Sequence, residues 1–384
     1  MIYTDFQDKK LSMLGFGAMR LPTREDGEID EAQLELMTDY AISHGVNYFD
    51  TAFPYHGGKS EIAVGKALSA YPRDSYCLAT KFPGHQISTS YHPAEVFETQ
   101  LKKCGVDYFD FYLLHNVYEN SIATYLDPRW GILDYFREQK RLGRIRHLGF
   151  SCHGGLALLD RFLDIAGEDM EFCQIQLNYL DWTLQDARSK VSLLNRRGVP
   201  IWVMEPVRGG RLCSLPSADE ARLKALRPEE GVPAWGFRFL QGVPGVTMIL
   251  SGMSSLAQMQ DNVATFADRK PLSPEETKTL LQIAEGMKNA VPCTACRYCT
   301  PQCPMGLDIP MMIALCNELR FATSMNSAMR LDALPPDKQP SACLACGKCA
   351  RMCPQGIAIP EVMKELTSRL EAQPKWADVC RERE

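Results

Sequence analysis

The chain has 384 residues, more than one average domain needs and enough for two. Hydrophobic residues at 45% and charged ones at 23% are ordinary globular proportions and argue against a disordered or fibrous chain. The 42 basic and 47 acidic side chains are mixed along the sequence, so a net charge of −5 leaves no electrostatic footprint for nucleic acid. No apolar run reaches the roughly 18 residues of a membrane span. Met1 to Phe6 show neither a basic start nor an apolar signal core, so a cytoplasmic protein is expected. Fifteen cysteines then read better as metal ligands or catalytic groups than as disulfides.

Through the first 270 residues, short β-branched or aromatic runs alternate with helical patterns. Strands are expected at 13–16, 46–50, 76–80, 109–114, 145–150, 172–177, 201–204 and 247–250. One helix is expected over 31–43, with Asp30 as N-cap and Gly45 beyond its end. Others are expected over 93–103 and over 130–142, the latter stopping before Gly143. Eight strands with crossovers in about 250 residues is the arithmetic of a (β/α)8 TIM barrel. A doubly wound open sheet is the alternative, but the chain lacks a supporting G-x-G-x-x-G fingerprint. Cys77, Cys104, Cys152, Cys173 and Cys213 have mostly apolar neighbours and no ligand spacing, so they read as buried structural thiols.

Chemistry in such a barrel gathers at the C-terminal ends of its strands. Those ends present Asp50, Lys81 and His115, with Tyr55 five residues beyond Asp50 in the same loop. Taken singly these are a helix cap, a surface lysine, a core histidine and a loop aromatic. Their convergence on one rim suggests more. An ammonium beside a tyrosine favours the phenolate and draws its pKa toward working pH, which suits the pair to proton transfer.

At these residues the sequence resembles the aldo-keto reductases. The matching pieces are Tyr48-Phe49-Asp50-Thr51-Ala52-Phe53-Pro54-Tyr55, Ser60-Glu61, Ala79-Thr80-Lys81, Leu113-Leu114-His115-Asn116 and Gly149-Phe150-Ser151. Gln174 to Tyr179 and Glu205 to Gly210 continue them, so the resemblance spans about residues 1–265. It implies Tyr55 as proton donor, Lys81 and Asp50 lowering its pKa, and His115 orienting the carbonyl. It also implies a nicotinamide cofactor without a Rossmann unit. Ser151 and Gln176 match the carboxamide positions, and Pro206, Val207, Arg208 and Gly209 match the loop along the pyrophosphate. Ser254, Gln258 and Asn262 match the adenosine end. The NADP-preferring pattern commonly has basic residues where this chain has Gly252 and Gln258. NADPH is therefore expected on family grounds, with NADH open. The other histidines, His85 among them, read as surface or supporting groups.

Ser273-Pro274-Glu275-Glu276 is a capping box with proline at N1, and it sets the expected boundary between domains 1–270 and 271–384. Beyond it lie two identical words, Cys293-x2-Cys296-x2-Cys299-x3-Cys303-Pro304 and Cys343-x2-Cys346-x2-Cys349-x3-Cys353-Pro354, offset by 50 residues. Three thiolates at two-residue intervals wrap one face of an iron–sulfur cube, while the fourth turns toward the other cluster. That spacing assigns Cys293, Cys296, Cys299 and Cys353 to one [4Fe–4S] cluster and Cys343, Cys346, Cys349 and Cys303 to the second. Zinc is the alternative, though no histidine follows His153. The region resembles two-cluster ferredoxins, and its helical patterns at 311–320 and from Ile359-Pro360 through Leu370 resemble helical ferredoxin domains fused to reductases. Cys316 and Cys380 fall outside the words.

The sequence thus leads to an NAD(P)H-dependent aldo-keto reductase-type oxidoreductase with a mainly helical two-cluster ferredoxin-like domain. It would act on a small carbonyl or alcohol, with a redox partner such as a ferredoxin. Nothing marks a flavin site, although hydride carries two electrons and each cluster one. Two alternatives stay open: a carbonyl reductase with structural or sensory clusters, and an electron-transfer module whose barrel binds nicotinamide without reducing carbonyls.

Overall fold

The computed structural model describes residues 1–288, 290–293, 295–321 and 325–381. It opens with an antiparallel hairpin, β1 (Tyr3–Phe6) and β2 (Lys9–Ser12). Eight parallel strands follow: β3 (Leu14–Gly17), β4 (Tyr48–Asp50), β5 (Cys77–Phe82), β6 (Phe109–Val117), β7 (Ile145–Cys152), β8 (Cys173–Gln176), β9 (Ile201–Met204) and β10 (Val246–Ser251). They pair in sequence order and close, β10 bonding to both β3 and β9. A parallel barrel buries both faces of its strands, so they read as apolar runs rather than alternations. All six residues of β5 are buried, Thr80 and Lys81 included.

The hairpin was not anticipated, because its two strands are four-residue runs too short to carry a pattern. It sends Phe6 and Leu11 into a core with Tyr48, Phe111, Phe172 and Trp202, close to the beginnings of the barrel strands. The Phe6 ring lies 4.9 Å from Trp202 and 5.7 Å from Phe111. Apolar packing therefore fills one end of the barrel and leaves the other for chemistry.

The helix Glu31–Ser43 begins as expected, Asp30 Oδ1 accepting from the Gln33 amide at 3.0 Å. The third expected helix starts two residues late, at Ile132, because Gly131 takes a left-handed φ of 57°. In the helix Ser60–Leu68, a Cβ on Gly65 would stand 2.4 Å from the Cys104 carbonyl, so only glycine permits this approach.

The chain divides into two compact units, Met1–Asp181 with Ala187–Leu281, and Trp182–Asp186 with Gln282–Glu384. This division falls after the expected boundary at 270. The reciprocal capping box forms, Ser273 and Glu276 each accepting the other's amide, and Arg227 pairs with Glu276 at 2.7 Å. Those bonds tie the first turns of the helix Pro274–Gly286 to the barrel unit.

The second unit holds the helices Ile309–Phe321, Met325–Asp332, Ile359–Glu371 and Trp376–Arg381. The second and the fourth of these were not anticipated. Leu307, Ile313, Leu319, Met363 and Leu366 form its core together with Cys316. Among the cysteines outside the words, Cys213 departs from expectation: it is exposed, on the irregular chain beyond the loop 206–210.

Candidate active site and cysteine cavities

Asp50 ends β4, Lys81 lies at the end of β5, and His115 is near the end of β6, so the parallel order delivers all three to one rim. Tyr55 opens a single helical turn just beyond β4. Lys81 Nζ donates to Asp50 Oδ1 at 2.5 Å and to the Thr51 carbonyl at 2.7 Å, and it reaches Tyr55 Oη at 3.5 Å. The Tyr55 and His115 rings stand edge to face at 5.8 Å. The four candidates are therefore neighbours.

Lys81 is 1% exposed and Asp50 3%. Burial alone would discharge the lysine, but Asp50 and then Tyr55 outweigh it and hold its pKa above the ordinary value. Burial pushes His115 well below the usual histidine range, with His85, Lys81 and His153 adding to the effect, so its imidazole is neutral. Tyr55 differs from expectation. Burial raises its hydroxyl above the ordinary tyrosine value; Lys81 pulls it down, whereas Asp50 pushes it up. A carboxylate disfavours a second anion nearby, so Asp50 serves the lysine and not the phenolate.

Behind Lys81 lies a buried network. Glu61 Oε1 accepts from Thr80 and from Gln100, both at 2.7 Å, and Gln100 also donates to the Lys81 carbonyl at 3.0 Å. His85, read as a supporting or surface group, is 6% exposed with its ring 4.3 Å from His115. Its only sequence signal is its place four residues beyond Lys81.

The expected cofactor residues lie toward the same ends of β7 to β10. Ser151 Oγ accepts the Asn116 amide at 2.7 Å, and Asn116 itself has a left-handed φ of 54°. Gln176 Nε2 donates to Asp181 Oδ2 at 2.9 Å. That same oxygen accepts from Asn178 at 2.7 Å and from Arg208 Nε at 3.2 Å. Arg208 therefore turns its charge inward, while Pro206, Val207 and Gly209 shape the turn around it. Asp181 is fully buried and had no signal in the sequence beyond following Asn178 by three residues. The Ser254 amide donates to Gln258 Oε1 at 2.8 Å, and Asn262 to Ser251 Oγ at 3.0 Å. Among the described residues, Asn116 Oδ1 and His115 Nδ1 are buried without a hydrogen-bond partner.

In the second unit the two words line two cavities. One, of about 310 Å³, is lined by Cys293, Cys296, Cys299 and Cys353. The other, of about 350 Å³, is lined by Cys343, Cys346, Cys349 and Cys303. Each thus takes three cysteines from one word and the last from the other. The backbone repeats as well: Ala295 and Ala345, Arg297 and Gly347, and Gly306 and Gly356 all take left-handed φ. Such kinks turn successive N–H groups toward one side, as iron–sulfur and other anion sites require. Among the described residues, no three His, Cys, Asp or Glu side chains gather as a single metal ion would need.

Residues 13–285 match the aldo/keto reductase family and residues 292–358 a 4Fe-4S dicluster domain. The chain belongs to the aldo/keto reductase family, a family of oxidoreductases, and carries an iron–sulfur domain after the barrel. An L-galactose dehydrogenase of Arabidopsis thaliana is 26% identical over 73% of this chain and 92% of its own length. A probable aldo-keto reductase of Glycine max is 33% identical over 38% of this chain, and the match spans only 42% of that relative. Among solved structures, an aldo-keto reductase of Bacillus halodurans in its holo form superposes with a TM-score of 0.59 at 25% identity, over 74% of this chain and 96% of that one. No helix among the described residues is long and apolar enough to cross a membrane.

Proposed function

We propose that the protein is a cytoplasmic NAD(P)H-dependent reductase of a small carbonyl compound, or oxidant of the corresponding alcohol, with two [4Fe–4S] clusters for electron transfer. The supporting observation is Lys81 Nζ, held by Asp50 and 3.5 Å from Tyr55 Oη, beside a neutral His115. The names of relatives agree in chemistry: L-galactose dehydrogenase, and an NADH-specific methylglyoxal reductase of Escherichia coli at 22% identity over 64% of this chain.

A bound nicotinamide would supply hydride to the carbonyl carbon. Tyr55 then gives its proton to the carbonyl oxygen, and the phenolate left behind is stabilised by the Lys81 ammonium, which Asp50 keeps charged. A neutral His115 orients the carbonyl by donating a hydrogen bond without adding charge. Ser151 and Gln176, the latter fixed by Asp181, would hold the carboxamide. The loop Pro206 to Gly209 would take the pyrophosphate, and Ser254, Gln258 and Asn262 the adenosine end. The two four-cysteine cavities fit a cube apiece, and a one-electron carrier such as a ferredoxin is the partner we expect.

The test is anaerobic addition of NADPH or NADH, followed by cluster absorbance, EPR and turnover of a test aldehyde. Turnover with cluster reduction supports the proposal. Turnover without it leaves clusters that are structural or sensory. Cluster reduction without turnover by the parent or any variant would leave an electron-transfer module and sink the carbonyl chemistry.

A further inference from the structure

We propose that Arg20 is the phosphate-binding cation of the barrel rim, receiving a phosphate group of the dinucleotide. This rests on the cofactor reading above. Arg20 ends the one-turn helix Ala18–Arg20 that follows β3. Its carbonyl accepts from Ser254 Oγ at 2.9 Å, which fixes its backbone to the segment after β10. Its aliphatic stem crosses Gly252, where an added Cβ would lie 3.2 Å from Arg20 Cβ. Its guanidinium reaches the turn after β9, where a Cβ on Gly209 would lie 2.6 Å from Nη2. Three rim segments, far apart in sequence, thus meet on one side chain.

The glycines explain each other. A basic side chain at 252, as in the NADP-preferring pattern, would occupy the space that Arg20 fills. The cation absent from Gly252 and Gln258 is supplied from the opposite end of the barrel's sequence. Arg20 is exposed, and among the described residues its guanidinium makes no hydrogen bond or close ion pair, although its charge, with those of Arg208 and Arg211, acts on the buried Glu205 carboxylate. Arg208, by contrast, is committed to Asp181. An exposed guanidinium held at a glycine-lined turn is suited to bidentate phosphate recognition. The phosphate is either the pyrophosphate common to both nucleotides or the 2′-phosphate of NADPH alone.

Equilibrium binding of NADPH and of NADH to the full-length, cluster-loaded protein, at several salt concentrations, decides it. Loss of one charge-assisted contact in Arg20→Met should weaken binding about 10- to 100-fold. Both nucleotides lose if the group is the pyrophosphate, and NADPH alone if it is the 2′-phosphate. In either case the salt dependence of Kd becomes shallower, and Arg20→Lys recovers part of the loss. Gly252→Ala, which crowds the stem and keeps the charge, should weaken binding in the same direction. Arg20→Met that folds normally and binds both nucleotides within about twofold of the parent would overturn the assignment. A parent that binds neither nucleotide overturns the cofactor reading itself, and Arg20 with it.

Discussion

Cys303 and Cys353 occupy the same place in the two cysteine words, and each lines the cavity of the other word. A proline, Pro304 or Pro354, follows each.

Cys353→Ser should therefore damage the cluster of Cys293, Cys296 and Cys299, although the change lies in the second word. Iron should fall from about eight toward about four per chain, with EPR retaining one cluster. Cys303→Ser should instead damage the cluster of Cys343, Cys346 and Cys349 and spare that of Cys293, Cys296 and Cys299. If Cys353→Ser and Cys349→Ser removed the same cluster, the crossed ligand set would be wrong.

Tyr55→Phe removes the proton donor and little else. Carbonyl turnover should drop by about 10²- to 10⁴-fold while NADPH binds as before. Steady-state rates and a nucleotide titration on one preparation check both halves. Unchanged turnover would remove Tyr55 from the chemistry.

The pH profile follows from the same group. Burial holds Tyr55 above the ordinary tyrosine value, so the protonated donor persists into alkaline solution. Reduction should stay flat to about pH 9 and decline only beyond it. Oxidation needs the phenolate and should rise across the same range. For stability the sign comes from His115, whose pKa is depressed in the folded chain. Below about 6.5 the unfolded state binds a proton that the native state refuses, so His115 costs stability as pH falls through that value. A melting series on His115→Gln, showing a shallower acid limb than the parent, measures it.

Asp181→Asn keeps the shape of a residue whose carboxylate oxygen accepts from Gln176, Asn178 and Arg208. The amide oxygen can take the same position, but the charge facing Arg208 is lost and the NH2 group falls where, among the described residues, Oδ1 has no hydrogen-bond partner. NADPH affinity should weaken roughly 10-fold, in line with a lost charge-assisted bond. An acetylpyridine analogue, which lacks the carboxamide nitrogen, should be affected less. Equal losses for both nucleotides would point to general loosening of the rim.

Gly65→Ala places a Cβ 2.4 Å from the backbone oxygen of Cys104, an atom that cannot rotate aside. A cost of about 1–3 kcal/mol is expected. Denaturant unfolding of the barrel, followed by tryptophan fluorescence, should show an earlier midpoint with turnover per folded molecule retained.

All eight barrel strands were legible because parallel strands buried on both faces write their burial as local apolar runs. Asp50, Lys81 and His115 were legible because strand ends can be counted. The hairpin was not, since Phe6 gains its meaning only from Phe111 and Trp202, which lie a hundred residues or more away. His85, Asp181 and Arg20 escaped for a similar reason: each acts through a neighbour brought by another βα loop. Asp50, expected to lower the Tyr55 pKa, raises it instead. Spacing fixes who is near, whereas burial decides which charge prevails.

The crossed cysteines also bear on how the protein is made. The second cavity lacks its full set until Cys349 leaves the ribosome, and the first until Cys353 does, four residues later. If each cavity holds a cube as proposed, neither cofactor can be fully ligated while the first word alone has emerged, and both become insertable almost together. A delivery system would then meet two vacant sites at once, with the barrel already synthesised ahead of them.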